Sequence, residues 1–381
     1  MQIAVLKEKR PYETRVAATP ETVKKLIALG FTVTVEKGAG YSSQYPDSQY
    51  EIAGAKVAAT PEKTLDKAKI VLKVLPPMTK KDGGEDEIKL LPEGALLIGM
   101  LQPYTKAELI EEYNKRKITA FSLELAPRIT RAQAIDVLSS QSNLAGYRAV
   151  IEAANALHRA FPMMMTAAGT IAPARVLILG AGVAGLQAIA TAKRLGAIVS
   201  VFDVRTAAKE QVESLGGTFV EVESEESGDA AGGYAKEMSK DYKERQAAKI
   251  KEVIGKSDVV ITTALIPGKP APRLITADMV KGMKPGSVIV DLAVESGGNC
   301  EGSVIGEVVE KDGVKILGYA NMPGRIPTDA SAVYARNLLN LLTLCMDKDS
   351  KTLKINWDDE IIQAIALTHE GKTRNEKKGA E

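Results

Sequence analysis

This chain has little of what much enzyme chemistry depends on: its 381 residues include two cysteines, two histidines and one tryptophan, and aromatics make up 4%. Cys300 and Cys345 stand far apart with no metal-ligand spacing, which excludes a disulfide scaffold, predicts no metal centre and suits a reducing compartment. His158 and His369 are the only imidazoles, and both read as structural or solvated. Charge of one sign is also lacking, with 50 basic residues against 48 acidic, so nothing electrostatic points to nucleic acid. No apolar run reaches the roughly 18 residues needed to span a bilayer, and the first residues carry no signal-peptide pattern, so a soluble chain is expected. What remains is length enough for two cores, and therefore two domains.

The most informative stretch is ARVLILGAGVAGLQAIATAKRLGAIVSVFDVR, residues 174–205. A short apolar strand runs into Gly180, Ala181, Gly182, Val183 and Gly185, the spacing of a dinucleotide fingerprint. Gly180 is expected to make the tight turn, Gly182 to let the backbone approach a pyrophosphate, and Gly185 to seat the next helix on the strand. That helix, 186–195, offers its unpaired amides and positive dipole end to phosphate. A second strand, 198–202, ends in Asp203, eighteen residues after Gly185, where a carboxylate accepts the adenosine ribose hydroxyls and repels a 2′-phosphate. This favours NAD(H), although Arg205 is a residue type that accommodates such a phosphate.

Strand signals at 2–6, 31–35, 68–75, 95–99 and 118–122 alternate with helical segments such as 106–117, which predicts a doubly wound domain without a fingerprint. A long helix over 139–160 leads into the fingerprint domain, which continues with a helix near 206–215 and strands at 218–222, 259–263 and 287–292. The loop after the 259–263 strand carries Ala264 and Leu265 at the edge where ligands sit. Strands at 304–309 and 314–317 flank the hairpin signal Asp312-Gly313, and helices follow at 330–346 and 358–367. The fold class is thus α/β, with two Rossmann-like parallel-sheet domains joined by long helices: 1–138 with 328–381, and 139–327. Residues 223–243, acidic, Gly-rich and aperiodic, read as a disordered insert or as a lid, with Tyr234 and Met238 as apolar tips.

Several blocks together resemble the NAD(H)-binding component of proton-translocating NAD(P) transhydrogenase, a family related to alanine dehydrogenase: KEKRPYETRVAATPETV at the start, VLKVLPP at 71–77, RITRAQAIDVLSSQSNLAGYRAV at 128–150, the fingerprint, DLAVESGGNCEGS at 291–303 and NMPGRIPTDAS at 321–331. The resemblance implies an enzyme of the Si-specific/Re-specific type, active only with partners. It implies a peripheral homodimer on the cytoplasmic face of the bacterial inner membrane, or on the matrix face in mitochondria. Its partners would be an NADP(H)-binding subunit and membrane-embedded proton-channel subunits. By the same resemblance Arg128, Ile129, Gln133, Asp136 and Ser139 contact the nicotinamide end of the cofactor. The fingerprint residues, Asp203, Val204, Arg205, Gly233, Tyr234, Ala264 and Leu265 hold the rest.

Chemistry separates the two relatives. An amino-acid dehydrogenase needs a general acid/base beside the nicotinamide ring, because a proton moves on and off nitrogen or oxygen as hydride leaves. Similar alanine dehydrogenases use a His and an Asp, and the matching positions here are Gln102, which cannot titrate, and Glu295. Arg15 and Lys73 match their substrate-carboxylate residues and keep that alternative open, beside a third reading as an NAD-sensing module. Transfer between two nicotinamides joins carbon to carbon and needs no such base; it needs ring contact and exclusion of water.

Overall fold

Short apolar segments bracketed by turn residues form the strands of this chain. A computed structural model describes residues 1–222, 228, 238–266, 268–347, 350 and 352–374, and divides the chain into two units, Met1–Gln141 with Gly324–Glu381, and Ser142–Pro323.

In the first unit β1 (Gln2–Val5), α1 (Pro20–Ala28), β2 (Thr32–Glu36), α2 (Asp47–Ile52), β3 (Lys56–Ala58), α3 (Pro61–Leu65), β4 (Ile70–Leu72), α4 (Glu87–Leu90), β5 (Leu96–Gly99), α5 (Glu108–Lys115) and β6 (Thr119–Ser122) follow in turn. Thr19 shows why such elements start where they do: its side chain accepts the Thr22 amide and Thr22 answers on the Thr19 amide, with Pro20 at the first helical position. The strands pair in parallel in the order β3-β2-β1-β4-β5-β6, a doubly wound sheet whose order reverses between β1 and β4.

The helix α6 (Val137–Ala156) begins in the first unit and ends in the second. The second unit then lays down a hairpin, β7 (Met164–Thr166) and β8 (Gly169–Ile171), followed by β9 (Arg175–Leu179), α7 (Val183–Arg194), β10 (Ile198–Phe202), α8 (Ala208–Ser214), β11 (Thr218–Phe219), α9 (Lys240–Ile254), β12 (Val259–Thr262), α10 (Ala277–Lys281), β13 (Val288–Asp291), β14 (Val308–Lys311) and β15 (Val314–Leu317). Its sheet has the order β11-β10-β9-β12-β13-β15-β14, the same winding, with only β14 antiparallel. Val176, Ile178, Val199, Val201, Val259 and Ile261 are buried on one face of this sheet with Ala188, Ile189 and Ala192 of α7. Each such aliphatic side chain contributes about 1.5–3 kcal/mol by leaving water. The chain returns to the first unit through α11 (Pro327–Leu344), α12 (Glu360–Ile365), β16 (Ala366–His369) and β17 (Lys372–Thr373).

Several expectations need correction. The last predicted helix stops at Ile365, and 366–369 form a strand antiparallel to β6, where Ala366 and Leu367 are buried. The long helix spans 137–156, not 139–160, and β3 and the β7–β8 hairpin are too short to register as strands in the sequence pattern. Residues 304–307 do not join β14, and 220–222 do not extend β11. The aperiodic stretch ends earlier than 243. Ser239 caps α9 by accepting the Tyr242 amide, and Tyr242, Gln246, Ile250 and Ile254 bury one i,i+4 face. Met238 is buried too, so it is no exposed tip. Gly233 and Tyr234 lie outside the described residues.

Candidate functional site

The register of the second sheet builds one edge. Leu179 of β9 stands opposite Phe202 of β10 and Thr262 of β12, and Thr262 opposite Asp291 of β13. The residues that follow, Gly180, Asp203 and Thr263, therefore emerge side by side at the carboxyl edge, where the strand order reverses between β9 and β12.

Gly180 takes a φ of +104°, and a Cβ there would lie 2.5 Å from Thr263 Oγ1. A Cβ on Gly185 would fall 1.9 Å from the Gly180 carbonyl oxygen, so α7 could not seat on the turn. Gly182 differs: it is the N-cap of α7, and nothing lies within 4 Å of the position its Cβ would take. That open side, in front of helix amides with no partner inside the helix, suits a pyrophosphate. The helix begins at Val183, earlier than the sequence indicated, so Val183 and Gly185 both lie in its first turn.

Asp203 is 9% exposed and binds the fingerprint directly, its Oδ2 accepting the Ala181 amide at 2.6 Å. Arg205 folds back on it: the Arg205 amide and Nε donate to Oδ1 at 2.8 and 2.9 Å, and Nη2 donates to Oδ2 at 2.7 Å. The guanidinium that could have met a 2′-phosphate is thus paired with the strand-end acid, and Val204 between them is partly buried.

The facing wall is the loop after β12. Thr263 Oγ1 donates toward the carbonyls of Leu179 and Gly180, tying the loop root to the fingerprint. Ala264 is held at both ends by Asn299, whose Oδ1 accepts the Ala264 amide while Nδ2 donates to the Ala264 carbonyl. Leu265 and Ile266 beyond it are exposed. Sequence reasoning missed Asn299 and Thr263; the one signal was a polar residue just past the Gly297-Gly298 pair, beside a strand end.

The segment 128–139 lies in the first unit. Ile129, half-buried, leads into a 3-10 turn over Thr130–Ile135, whose Ala132 and Ile135 are buried, while Gln133 and Arg128 are exposed. The turn is pinned through the Ala134 carbonyl, which accepts from Asn337 and Asn340. Asp136 caps α6: its Oδ1 accepts the Ser139 amide at 2.9 Å and its Oδ2 the Ser139 hydroxyl. A capping role for Asp136 and Ser139 is therefore visible without any ligand.

The first unit has the same winding but a different edge. Lys73, which follows β4, is 1% exposed and pairs with Glu8 at 3.1 Å and Glu87 at 3.0 Å. Glu8 Oε1 also accepts the Val74 amide. Burial pushes the Glu8 carboxyl above its ordinary value, against the pull of Lys73. Burial alone would lower the Lys73 ammonium, but Glu8 and Glu87 outweigh it and raise it. Arg15 is equally occupied, with Nε and Nη2 on Glu13 and Nη1 on Gln141. Both side chains that match a keto-acid clamp are buried against carboxylates.

The two positions matched to acid/base residues are also accounted for. The amide of Gln102, at φ +51°, donates to Glu124, and Glu295 Oε2 accepts the Asn321 amide at 3.0 Å. Among the described residues no group of three or more His, Cys, Asp or Glu could hold a metal ion, and no helix is long and apolar enough to cross a membrane.

Family models for the alanine dehydrogenase/PNT N-terminal and C-terminal domains match residues 4–145 and 149–376. The chain is 56% identical over 373 residues to the first segment of the NAD(P) transhydrogenase alpha subunit of Rhodospirillum rubrum, covering 97% of each. It is 31% identical to the alanine dehydrogenase of Halomonas elongata, covering 98% of this chain and 94% of that one. Among solved structures it is similar to a transhydrogenase from Sinorhizobium meliloti, with 50% identity, a TM-score of 0.87, and coverage of 98% of this chain and 100% of that one.

Proposed function

The chain belongs to the NAD(P) transhydrogenase alpha-subunit branch of the alanine dehydrogenase/PNT family, and we propose that it binds NAD(H) and exchanges hydride directly with NADP(H) held by a partner subunit. The observation that carries this reading is a pairing of opposites at two similar sheet edges. The second unit has an open, amide-lined turn with an acid at its strand end, while the first has its two candidate substrate cations neutralised by buried carboxylates.

Bound dinucleotide supplies the redox chemistry, a hydride moving between ring carbons. The protein's role is to bind and orient. Gly182 and the first amides of α7 meet the pyrophosphate, Asp203 meets the adenosine ribose, and the 264–266 loop walls the other side. Of the two positions matched to acid/base residues, Gln102 cannot titrate, and Glu295 accepts the Asn321 amide. We assign Arg128, Ile129, Gln133, Asp136 and Ser139 to the carboxamide end of the cofactor, and Gly233 and Tyr234 to its binding.

The rest of the reading is a homodimer docked on membrane-embedded proton-channel subunits at the cytoplasmic face of a bacterial inner membrane, with proton movement coupled to hydride transfer. The β7–β8 hairpin supports self-association, since Met163, Met165 and Ile171 on it or beside it are exposed.

The test is to mix this chain, loaded with NADH, with an NADP-loaded partner subunit and follow NADPH formation. Transfer supports the proposal. Turnover of pyruvate and ammonia by the chain alone would replace it with an alanine dehydrogenase.

A further inference from the structure

We propose that Asn299 is a positioning residue for hydride transfer: from behind the 264–266 loop it sets how deep the dinucleotide sits along that wall, and with it where the ring is presented. This rests on the functional reading above and goes beyond it, since Asn299 has no place among the residues expected to touch the cofactor.

The loop from 264 to 272 reads Ala-Leu-Ile-Pro-Gly-Lys-Pro-Ala-Pro. Its prolines have no amide to donate, and among the described residues its backbone ties are the Lys269 amide on the Ile266 carbonyl and the Ala271 amide on the Ser296 carbonyl; neither joins Ala264 to Pro272. Asn299, at 0% exposure, does that work from outside. Its Oδ1 accepts the Ala264 amide at 3.1 Å, and its Nδ2 donates to the Ala264 carbonyl at 2.9 Å and the Pro272 carbonyl at 2.8 Å. One side chain thus fixes both ends of the loop, and only a primary amide has two donors and an acceptor in that geometry.

Asn299 is itself held rigidly. Asp291, also 0% exposed, accepts the amides of Ala293 and Asn299 and the Thr262 hydroxyl on Oδ1, and the Cys300 amide on Oδ2. The turn is close enough that a Cβ on Gly298, at φ +79°, would lie 2.7 Å from Asp291 Oδ2. Position is therefore passed from the end of β13 to the turn, to Asn299, and to the loop. Thr263 closes the chain onto the fingerprint through the Leu179 and Gly180 carbonyls. Since a misplacement of about 1 Å at a reacting centre can cost about 100-fold in rate, a clamp behind the wall governs the transfer step more than retention of the dinucleotide.

The test uses the complex of this chain with its NADP-loaded partner subunit. Asn299→Asp keeps the size but removes both donors and sets a charge against two carbonyls. We expect the single-turnover rate at saturating NADH to fall at least about tenfold while NADH affinity shifts less than about threefold. A rate within about twofold of wild type, or an affinity loss equal to the rate loss, overturns the proposal. Should Asn299→Asp fail to fold, Thr263→Val, which cuts the loop root from the fingerprint without changing shape, must show the same split; a normal rate in that variant also overturns it. A wild-type complex that transfers no hydride fails the functional reading instead, and this proposal falls with it.

Discussion

Lys73 Nζ lies 3.0 Å from Glu87 Oε2, with the two side chains 1% and 3% exposed. A lysine reserved for a substrate carboxylate would have to be reachable and in need of an anion; this one is neither. Lys73→Met should therefore act on stability, since removing one partner of a buried pair costs about 3–5 kcal/mol. Urea unfolding would show the loss, and titration with NADH would show little change.

The glycines of the fingerprint make contrasting predictions. Gly185→Ala drives a Cβ to within 1.9 Å of the Gly180 carbonyl oxygen and should destabilise the second unit outright, seen as a lowered thermal midpoint. Gly182→Ala meets nothing within 4 Å, so the fold should stand while NADH affinity drops at least about tenfold, roughly 1.4 kcal/mol, because the methyl occupies the pyrophosphate's approach. Calorimetric titration and a melting curve on each variant separate the two effects.

The proposed nucleotide preference rests on Asp203 and Arg205. Asp203→Asn weakens the acceptor for the ribose and releases the guanidinium that is now paired at 2.7 Å. NADH should bind about tenfold or more weaker and NADPH tighter than in wild type. An unchanged ratio of the two affinities would assign Asp203 to the Ala181 amide alone.

How much of this is legible in the sequence depends on how local the cause is. The turn at Gly180 and the acid at Asp203 follow from neighbouring residues, as does the hairpin at Asp312 and Gly313, where φ is +51° and +74°. What stays hidden depends on pairing across distance. Lys73 reads as available until Glu8 and Glu87 are brought to it, and Asn299 reads as a loop residue until Ala264 and Pro272 close on it. β16 merges into a helix in the sequence pattern because Ala366 and Leu367 suit either structure, and only pairing with β6 decides. Met238 and Tyr242 read as belonging to an unstructured stretch because the helix face that Tyr242 opens continues beyond it, through Gln246 to Ile254.

The cysteines give a pH prediction. Burial is the first cause that pushes the Cys300 and Cys345 thiols up to about 12, from 9.0. The folded chain holds these protons longer than the unfolded chain, so the stability they add is intact below pH 9 and is lost as pH rises toward 12. Iodoacetamide at about pH 8 should leave both unlabelled in the native chain and label both in urea, read by mass spectrometry.

The central claim, hydride exchange with a second dinucleotide and no small carbonyl substrate, is tested most directly by stopped-flow absorbance. NADH-loaded chain is mixed in parallel with NADP-loaded partner subunit and with pyruvate plus ammonia. The account predicts NADPH formation in the first mixture and no NADH oxidation above background in the second. Enzymatic oxidation of NADH by pyruvate and ammonia, with no other protein present, would contradict it.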